Sequence, residues 1–170
     1  MNIKVCPREF VNQEIDQCLN REHIKVISIT DPRSNPASIG LPESRILRLQ
    51  FHDLRTEQID VVKSINKDKS DWPILFDESH ANQINDFINE DDEIVIIHCE
   101  AGISRSPAVA AALALKFISK KECESFFIKY FPNNHVFAIL CRILLINSFE
   151  EIIGNHQNKD VENFFEENDE

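Results

Sequence analysis

Long apolar runs are missing from this sequence of 170 residues. No segment approaches the roughly 20 apolar residues that a membrane-spanning helix requires, and residues 1–6 lack the apolar stretch of a secretory signal. Basic residues are also scarce, because 18 lysines and arginines stand against 29 aspartates and glutamates, a net charge of −11. Since nucleic acids are bound mainly through basic side chains, we expect neither a nucleic acid nor a membrane as partner.

Paired cysteines are absent as well. The five cysteines form no CxxC pair and their number is odd, which argues against a disulfide scaffold and against a structural zinc site. Histidines, aspartates and glutamates show no metal-ligand spacing either. We therefore expect a monomeric protein of the reducing cytoplasm, without metal or cofactor, in which one cysteine is present for its reactivity.

Glycine and proline are sparse, with three and seven copies, but they separate segments of different periodicity. Residues 94–97 form a continuous apolar run, which is typical of a parallel strand covered on both faces. The pattern predicts an α/β fold: a single-domain, three-layer sandwich with a central, mainly parallel sheet of four to five strands flanked by helices. We expect this domain to span residues 1–153 and an acidic, flexible tail to span 154–170. The expected strands are Ile3–Cys6, Lys25–Thr30, Arg45–Phe51 and Glu93–Cys99.

The segment from His98 to Pro107 joins the last of these strands to a helix. We expect the strand to end at Cys99, while Ser106 and Pro107 are favoured at the cap and at the first position of a helix. The loop between them would surround the positive end of the helix dipole with backbone N–H groups, which is a binding site for an anion. Gly102 permits the backbone angles that such a cradle requires.

Two side chains give this anion site its chemistry. Arg105 follows Cys99 by six residues, and its planar fork can hold two oxygens of a phosphate. A positive environment favours the thiolate form of a cysteine, and the thiolate is the nucleophile. We therefore predict one phosphate pocket, whose cradle consists of Glu100, Ala101, Gly102, Ile103, Ser104 and Arg105.

The ten residues from His98 to Pro107 resemble the HCxxGxxRS loop of protein-tyrosine and dual-specificity phosphatases, in its HCxAGxSRS form. A broader likeness, to small stand-alone bacterial and viral tyrosine phosphatases, covers residues 5–146 and includes the segments 47–53 and 132–134. The resemblance implies a phosphatase that acts on phosphotyrosine in proteins or peptides, with phosphoserine and phosphothreonine as further candidate substrates.

The resemblance also implies a role for each residue of the loop. Cys99 would attack phosphorus and form a cysteinyl-phosphate, which water then hydrolyses. Arg105 would stabilise the charge of the transition state, Ser106 would assist departure of the thiolate, and His98 would support the loop.

A phosphatase of this family also needs an aspartate as general acid. Asp53 follows the third expected strand, so it should lie at the sheet edge that carries the phosphate cradle, where ligands of α/β sheets bind. It precedes Cys99 by 46 residues, a larger separation than is usual in the family. Asp68 and Asp71 fit a shorter separation but belong to a charged linker, and Asp77 is the third alternative.

Other functions stay open at this point. A catalytically silent phosphate-binding protein would keep Arg105 and the cradle without a working acid, although retention of Cys99 weighs against it. A rhodanese-type sulfurtransferase also places a cysteine before a helix, but His98 and the Arg-Ser-Pro segment favour phosphate chemistry. A phosphatase of phosphoinositides or RNA would want lysines in the cradle, where this chain has Glu100.

Overall fold

The structure is a computed structural model that describes residues 1–19, 21–65, 72–146 and 149–154. The tail expected at 154–170 lies outside these residues except for its first position. Asp68 and Asp71, two of the candidate acids, also lie outside them. None of the helices in this part of the chain combines the length and the apolar character needed to cross a bilayer.

In the described residues four strands alternate with helices, and the elements that follow the last of these strands are helices. Short 3-10 turns cover Arg8–Phe10, Arg21–His23 and Glu43–Arg45, and residues 150–154 are helical. The strands are β1 (Asn2–Pro7), β2 (Ile24–Thr30), β3 (Ile46–Gln50) and β4 (Ile94–Cys99). The helices are α1 (Val11–Asp16), α2 (Thr56–Ile65), α3 (Glu78–Phe87), α4 (Arg105–Phe117), α5 (Lys120–Lys129) and α6 (Asn134–Ile143).

All four strands are parallel and form a sheet in the order β1-β4-β2-β3. The predicted α/β sandwich around a sheet of four to five strands is thereby confirmed. β4 is an inner strand of the sheet, between β1 and β2. Its apolar run is explained by the cover on both of its faces. Val95, Ile97 and Cys99 belong to the larger core, whereas Ile96 belongs to the smaller one on the opposite face.

The helices divide unequally between the two faces. α4, α5 and α6 pack against one another over the larger core, with α4 in contact with β1 and β4. Every residue of α4 from Ala108 to Ala114 is fully buried, as expected of a helix at the centre of a core. α1 covers the other face, where Val11 and Ile15 pack against the sheet.

The carboxyl ends of the four parallel strands meet at one edge of the sheet. The chain leaves β1 at Arg8, β2 at Asp31, β3 at residues 51–53, and β4 at the segment 99–105, which is called the Cys-Arg loop below. The parallel arrangement thus brings four reactive or charged segments side by side, at the edge where α/β sheets bind ligands.

His98, on the central strand, is fully buried. Its Nε2 lies 2.8 Å from Oγ of Ser28 on β2. Burial lowers the pKa of His98 from 6.5 to about 4, against the opposing effect of a hydrogen bond to the backbone of Cys99. The imidazole is therefore neutral in the folded protein at neutral pH.

We predict that His98 weakens folding below pH 6.5. Between pH 6.5 and about 4 the unfolded chain binds a proton at this histidine and the folded chain does not, so stability falls as the pH falls. From pH 7 to pH 5 this amounts to about 2 kcal/mol of the free energy of unfolding. Urea unfolding at both pH values, on the wild type and on His98→Gln, measures it.

The variant should lose correspondingly less stability between the two pH values. His135, whose pKa is also lowered by burial, contributes alike to both proteins. Equal losses in the two proteins would show that His98 carries no such penalty.

Candidate active site

The Cys-Arg loop folds around the N-terminus of α4, and contacts with other segments of the chain fix its conformation. Gly102 has a φ of +70°, and a Cβ there would lie 2.6 Å from the backbone nitrogen of Pro7, so only glycine fits. None of the N–H groups of residues 100–104 donates a hydrogen bond within the described chain, as in an anion-binding nest. Three loop carbonyls accept from backbone N–H groups elsewhere: Glu100 from Arg8 (3.3 Å), Ile103 from Phe131 (3.2 Å) and Ser104 from Asn133 (3.1 Å).

The sulfur of Cys99 has a hydroxyl group beside it. Oγ of Ser106 donates to Sγ of Cys99 at 3.1 Å, and both side chains are buried. The expectation that Ser106 caps α4 is wrong, because the helix begins at Arg105 and the carbonyl of Ser104 accepts from the N–H of Ala108 at 3.2 Å. The Ser106 hydroxyl is therefore available to stabilise negative charge on the sulfur.

The guanidinium of Arg105 is buried and is fixed along one side. Its Nη1 donates to Oδ1 of Asp31 at 2.7 Å and to the carbonyl of Phe51 at 2.8 Å. Its Nε has no hydrogen-bond partner in the described chain, and the Oδ2 atom of Asp53 lies 3.8 Å away. Because a buried donor without a partner costs free energy, this nitrogen points to an anionic ligand in front of it.

Asp31 escapes prediction from the sequence, where the pair Asp31-Pro32 has the composition of an ordinary turn. In the structure its Oδ1 is the carboxylate acceptor that fixes Arg105. The signal that could have found it is its place directly after β2, because polar residues at the carboxyl ends of parallel strands face the ligand site.

Asp53 lies at the mouth of the loop, three residues after β3. Its Oδ1 accepts from Oγ of Ser104 at 2.7 Å and from Nδ2 of Asn133 at 2.8 Å. Its side chain is 35% exposed, so solvent reaches it. The structure thus brings Asp53 together with Cys99 and Arg105 at one site.

Asn133 ties this mouth to the helices. It is fully buried, and its Nδ2 donates to Oδ1 of Asp53 and to the carbonyl of Leu54 (3.1 Å). Its Oδ1 accepts from the N–H of Val136 at 3.1 Å and so caps α6. Since its own N–H donates to the Ser104 carbonyl, Asn133 connects the segment that carries Asp53 to the Cys-Arg loop and to α6.

Asp77, the remaining described candidate for the acid, has a structural position. Its carboxylate caps α3 by accepting from the N–H of His80 at 3.1 Å. Burial alone would raise the pKa of Asp77, but hydrogen bonds from His80 outweigh burial and lower it. The hydrogen bonds and the ion pair that the Asp77 carboxylate makes in the described chain go to α3, and none of them joins it to the Cys-Arg loop.

The other cysteines show no such setting. Cys6 belongs to the smaller core, on the opposite face of the sheet from Cys99, and burial raises its pKa to about 12. Burial also raises the pKa of Cys123 to about 12, and that of Cys141 still higher. None of the five cysteines forms a disulfide. The described part of the chain contains no group of three or more histidine, cysteine, aspartate or glutamate side chains that could hold a metal ion.

This parallel sheet, in which an inner strand ends in a buried cysteine that is followed by a loop and a helix, has a counterpart among solved structures. Among solved structures, the PTP-2 phosphatase of Cydia pomonella is similar to this chain, with a TM-score of 0.50, 17% identity, and coverage of 84% of this chain and 85% of that one. At this identity the likeness shows the fold alone.

Two further solved structures are more distant. The human tyrosine phosphatase-like serine/threonine/tyrosine-interacting protein has a TM-score of 0.47 and 16% identity, covering 83% of this chain and 89% of that one. PTPMT1 in complex with PI(5)P has a TM-score of 0.45 and 13% identity, covering 91% and 94%. No family model matches the sequence, and no curated protein is similar enough to count as a relative. The expected likeness to bacterial and viral members stays a prediction.

We predict that Gly102→Ala disrupts the Cys-Arg loop. An L residue at this φ costs about 1–2 kcal/mol, and the added Cβ would also lie 2.7 Å from the carbonyl carbon of Cys6 and must displace β1. Binding of vanadate, measured by calorimetry, should weaken by about tenfold or more, and the melting temperature should fall.

Gly40→Ala is the matched control, since a Cβ there meets nothing closer than Oδ1 of Asn12 at 3.7 Å. It should leave vanadate binding unchanged. Similar effects of the two substitutions would contradict the tight packing of Gly102 against β1.

Proposed function

We propose that the protein is a phosphatase that hydrolyses phosphotyrosine in proteins or peptides through a cysteinyl-phosphate on Cys99. One observation carries the proposal: the hydroxyl of Ser106 donates to the Cys99 sulfur at the base of a loop whose arginine, Arg105, keeps a buried Nε without a partner. A nucleophile and a cationic side chain with an N–H group that makes no hydrogen bond, in one anion-binding loop, are what phosphoryl transfer to sulfur requires.

In the first step the Cys99 thiolate attacks phosphorus, and the bond from phosphorus to the tyrosine oxygen breaks. Arg105 and the backbone N–H groups of the loop bind the phosphoryl oxygens, where charge accumulates in the transition state. Asp53, in its protonated form, gives its proton to the leaving phenolate oxygen. Its partly exposed position at the mouth of the loop suits this task.

In the second step water attacks the phosphorus of the cysteinyl-phosphate, and the sulfur leaves as a thiolate. Asp53, now a carboxylate, accepts the proton of the water. The Ser106 hydroxyl donates to the departing sulfur over the 3.1 Å contact. The products are inorganic phosphate and the free enzyme.

Asp31 acts in both steps through Arg105. Its carboxylate and the Phe51 carbonyl engage Nη1, so the opposite edge of the guanidinium, with Nε, is left for phosphate. A guanidinium fixed before the substrate arrives loses less conformational entropy on binding. Asp31 is therefore a positioning residue and Asp53 the acid.

The alternatives gain no comparable support. A catalytically silent phosphate-binding protein would need neither a carboxylate at the mouth of the Cys-Arg loop nor a hydroxyl group that donates a hydrogen bond to the cysteine sulfur. Recognition of a highly phosphorylated lipid is disfavoured by Glu100, which places a carboxylate in the loop beside the phosphate position. Phosphoserine and phosphothreonine stay as further candidate substrates.

We predict that the protein hydrolyses aryl phosphates without added metal and that vanadate inhibits it. Cys99→Ser should lower kcat by about a thousandfold or more, because the nucleophile is lost. Ser106→Ala should slow the second step, so that rapid-mixing experiments show a burst of phenol followed by slow turnover. Turnover that persists in Cys99→Ser, or that requires Mg²⁺, would refute the mechanism.

We predict that substitutions of Asp53 and Asp31 differ in how their effect on the rate depends on the leaving group of the substrate. Asp53→Asn should slow the hydrolysis of phenyl phosphate by about a hundredfold or more, and that of p-nitrophenyl phosphate much less, because nitrophenolate needs no proton to depart. Asp31→Asn, the matched control, should slow both substrates by the same factor, since it acts through phosphate binding. Equal losses on both substrates in Asp53→Asn would assign the acid to another residue.

A further inference from the structure

A groove opens directly beside the Cys-Arg loop. It has a volume of about 590 Å³ and runs between the turn after β1, helix α1 and the loop that precedes β3. Glu100 and Ala101, the two residues that follow Cys99, form part of its wall. The same loop ends at Arg105, whose Nε without a hydrogen bond marks the proposed phosphate position. Residues that flank a bound phosphotyrosine therefore come within reach of the groove.

The walls of the groove are fixed by side chains that bridge separate segments. Nη1 of Arg8 donates to Oε1 of Glu100 at 3.0 Å, and Nη2 donates to the carbonyl of Asn35 at 2.6 Å. Nδ2 of Asn12 donates from α1 to the carbonyl of Ser38 at 2.9 Å. The groove is thus a built feature of the fold, and the donors of Arg8 and Asn12 named here are already engaged by the protein itself.

Some acceptors of the groove receive no hydrogen bond from the described chain. The carboxylate of Glu9 is exposed and makes no ion pair or hydrogen bond within the described chain. Oε2 of Glu100 and the hydroxyl of Ser38 also lack a hydrogen bond there. Because the charge of Arg8 is offset by Glu100, the carboxylate of Glu9 leaves the groove with an excess negative charge. Arg33, an exposed arginine of the same loop, does not line it.

We propose that this groove binds a basic side chain of the substrate, an arginine or a lysine close to the phosphorylated residue, with Glu9 as the specificity-determining residue. The inference rests on the proposed function. A guanidinium or ammonium group supplies N–H donors and a positive charge opposite the Glu9 carboxylate, which has no cationic partner in the described chain. The volume lies within the range of pockets that enclose small ligands, which is ample for one or two side chains. The net charge of −11 also attracts basic peptides from solution.

Phosphotyrosine peptides of one length test the proposal. Arginine is placed in turn at each of the three positions on either side of the phosphotyrosine, and each peptide is compared with its alanine and glutamate counterparts. In the wild type, at least one arginine peptide should exceed its alanine counterpart in kcat/KM by about threefold, the effect of an exposed ion pair. Glu9→Gln should remove this preference, and Glu9→Lys should reverse it in favour of glutamate.

Glu90→Lys is the matched control for Glu9→Lys. Glu90 is an exposed glutamate at the opposite end of β4, and its substitution changes the net charge by the same amount. Phenyl phosphate, which has no flanking residues, reports basal activity and should be hydrolysed equally by the wild type and the Glu9 variants. Two results would refute the role of the groove without contradicting the phosphatase activity. The first is hydrolysis of phenyl phosphate with no preference for any arginine peptide. The second is a change of peptide preference in Glu90→Lys as large as in Glu9→Lys. Failure of the wild type to hydrolyse phenyl phosphate and every peptide would overturn both.

Discussion

The site depends on the fixation of one buried cation. Arg105 lies at the start of the helix that follows β4. Its Nη1 donates to the carboxylate of Asp31, at the end of β2, and to the carbonyl of Phe51, at the end of β3. Three parallel strands therefore converge on a single group. A buried charge is tolerated only when it is paired and hydrogen-bonded, so the relative placement of these strand ends and the orientation of Arg105 stabilise each other.

Local features of the chain predicted most of the fold and the centre of the site. The apolar run of β4 and the spacing of Cys99, Gly102 and Arg105 belong to segments of only a few residues, where periodicity and backbone constraints act directly. Asp31 could not be found in this way, and the segment 132–134, although part of the likeness, gave no sign of the contact between Asn133 and Asp53. Arg105 lies 74 residues from Asp31, and Asn133 lies 80 residues from Asp53. The parallel order of the strands brings the first pair together, and the position of Asn133 at the start of α6, bonded to the Ser104 carbonyl, brings the second. The start of α4 was misplaced for a related reason, because the carbonyl of Ser104 bonds to Asn133 as well as to its own helix.

The chain is acidic, yet an anion site needs positive charge. Ion pairs between single arginines and neighbouring carboxylates allow both. Arg8 and Arg105, both at the carboxyl-end edge of the sheet, each contact a carboxylate. His98, by contrast, stays neutral beneath the loop, so the positive field in front of the sulfur comes from arginine and from backbone dipoles. In the function proposed above, the cradle presents the charge of one guanidinium to a phosphate, and the acidic groups on its rim would favour a substrate that carries positive charge elsewhere.

The contact between Gly102 and β1 links the reactive sulfur to the amino end of the chain. In the described part of the chain β1 is an outer strand paired with β4, and its last residues lie so close to Gly102 that even a methyl group has no room there. Displacement of this strand, by a fused partner or by a second chain that pairs with its open edge, would release the support of the loop. The geometry around Cys99 would then change without the replacement of a single residue that contacts phosphate.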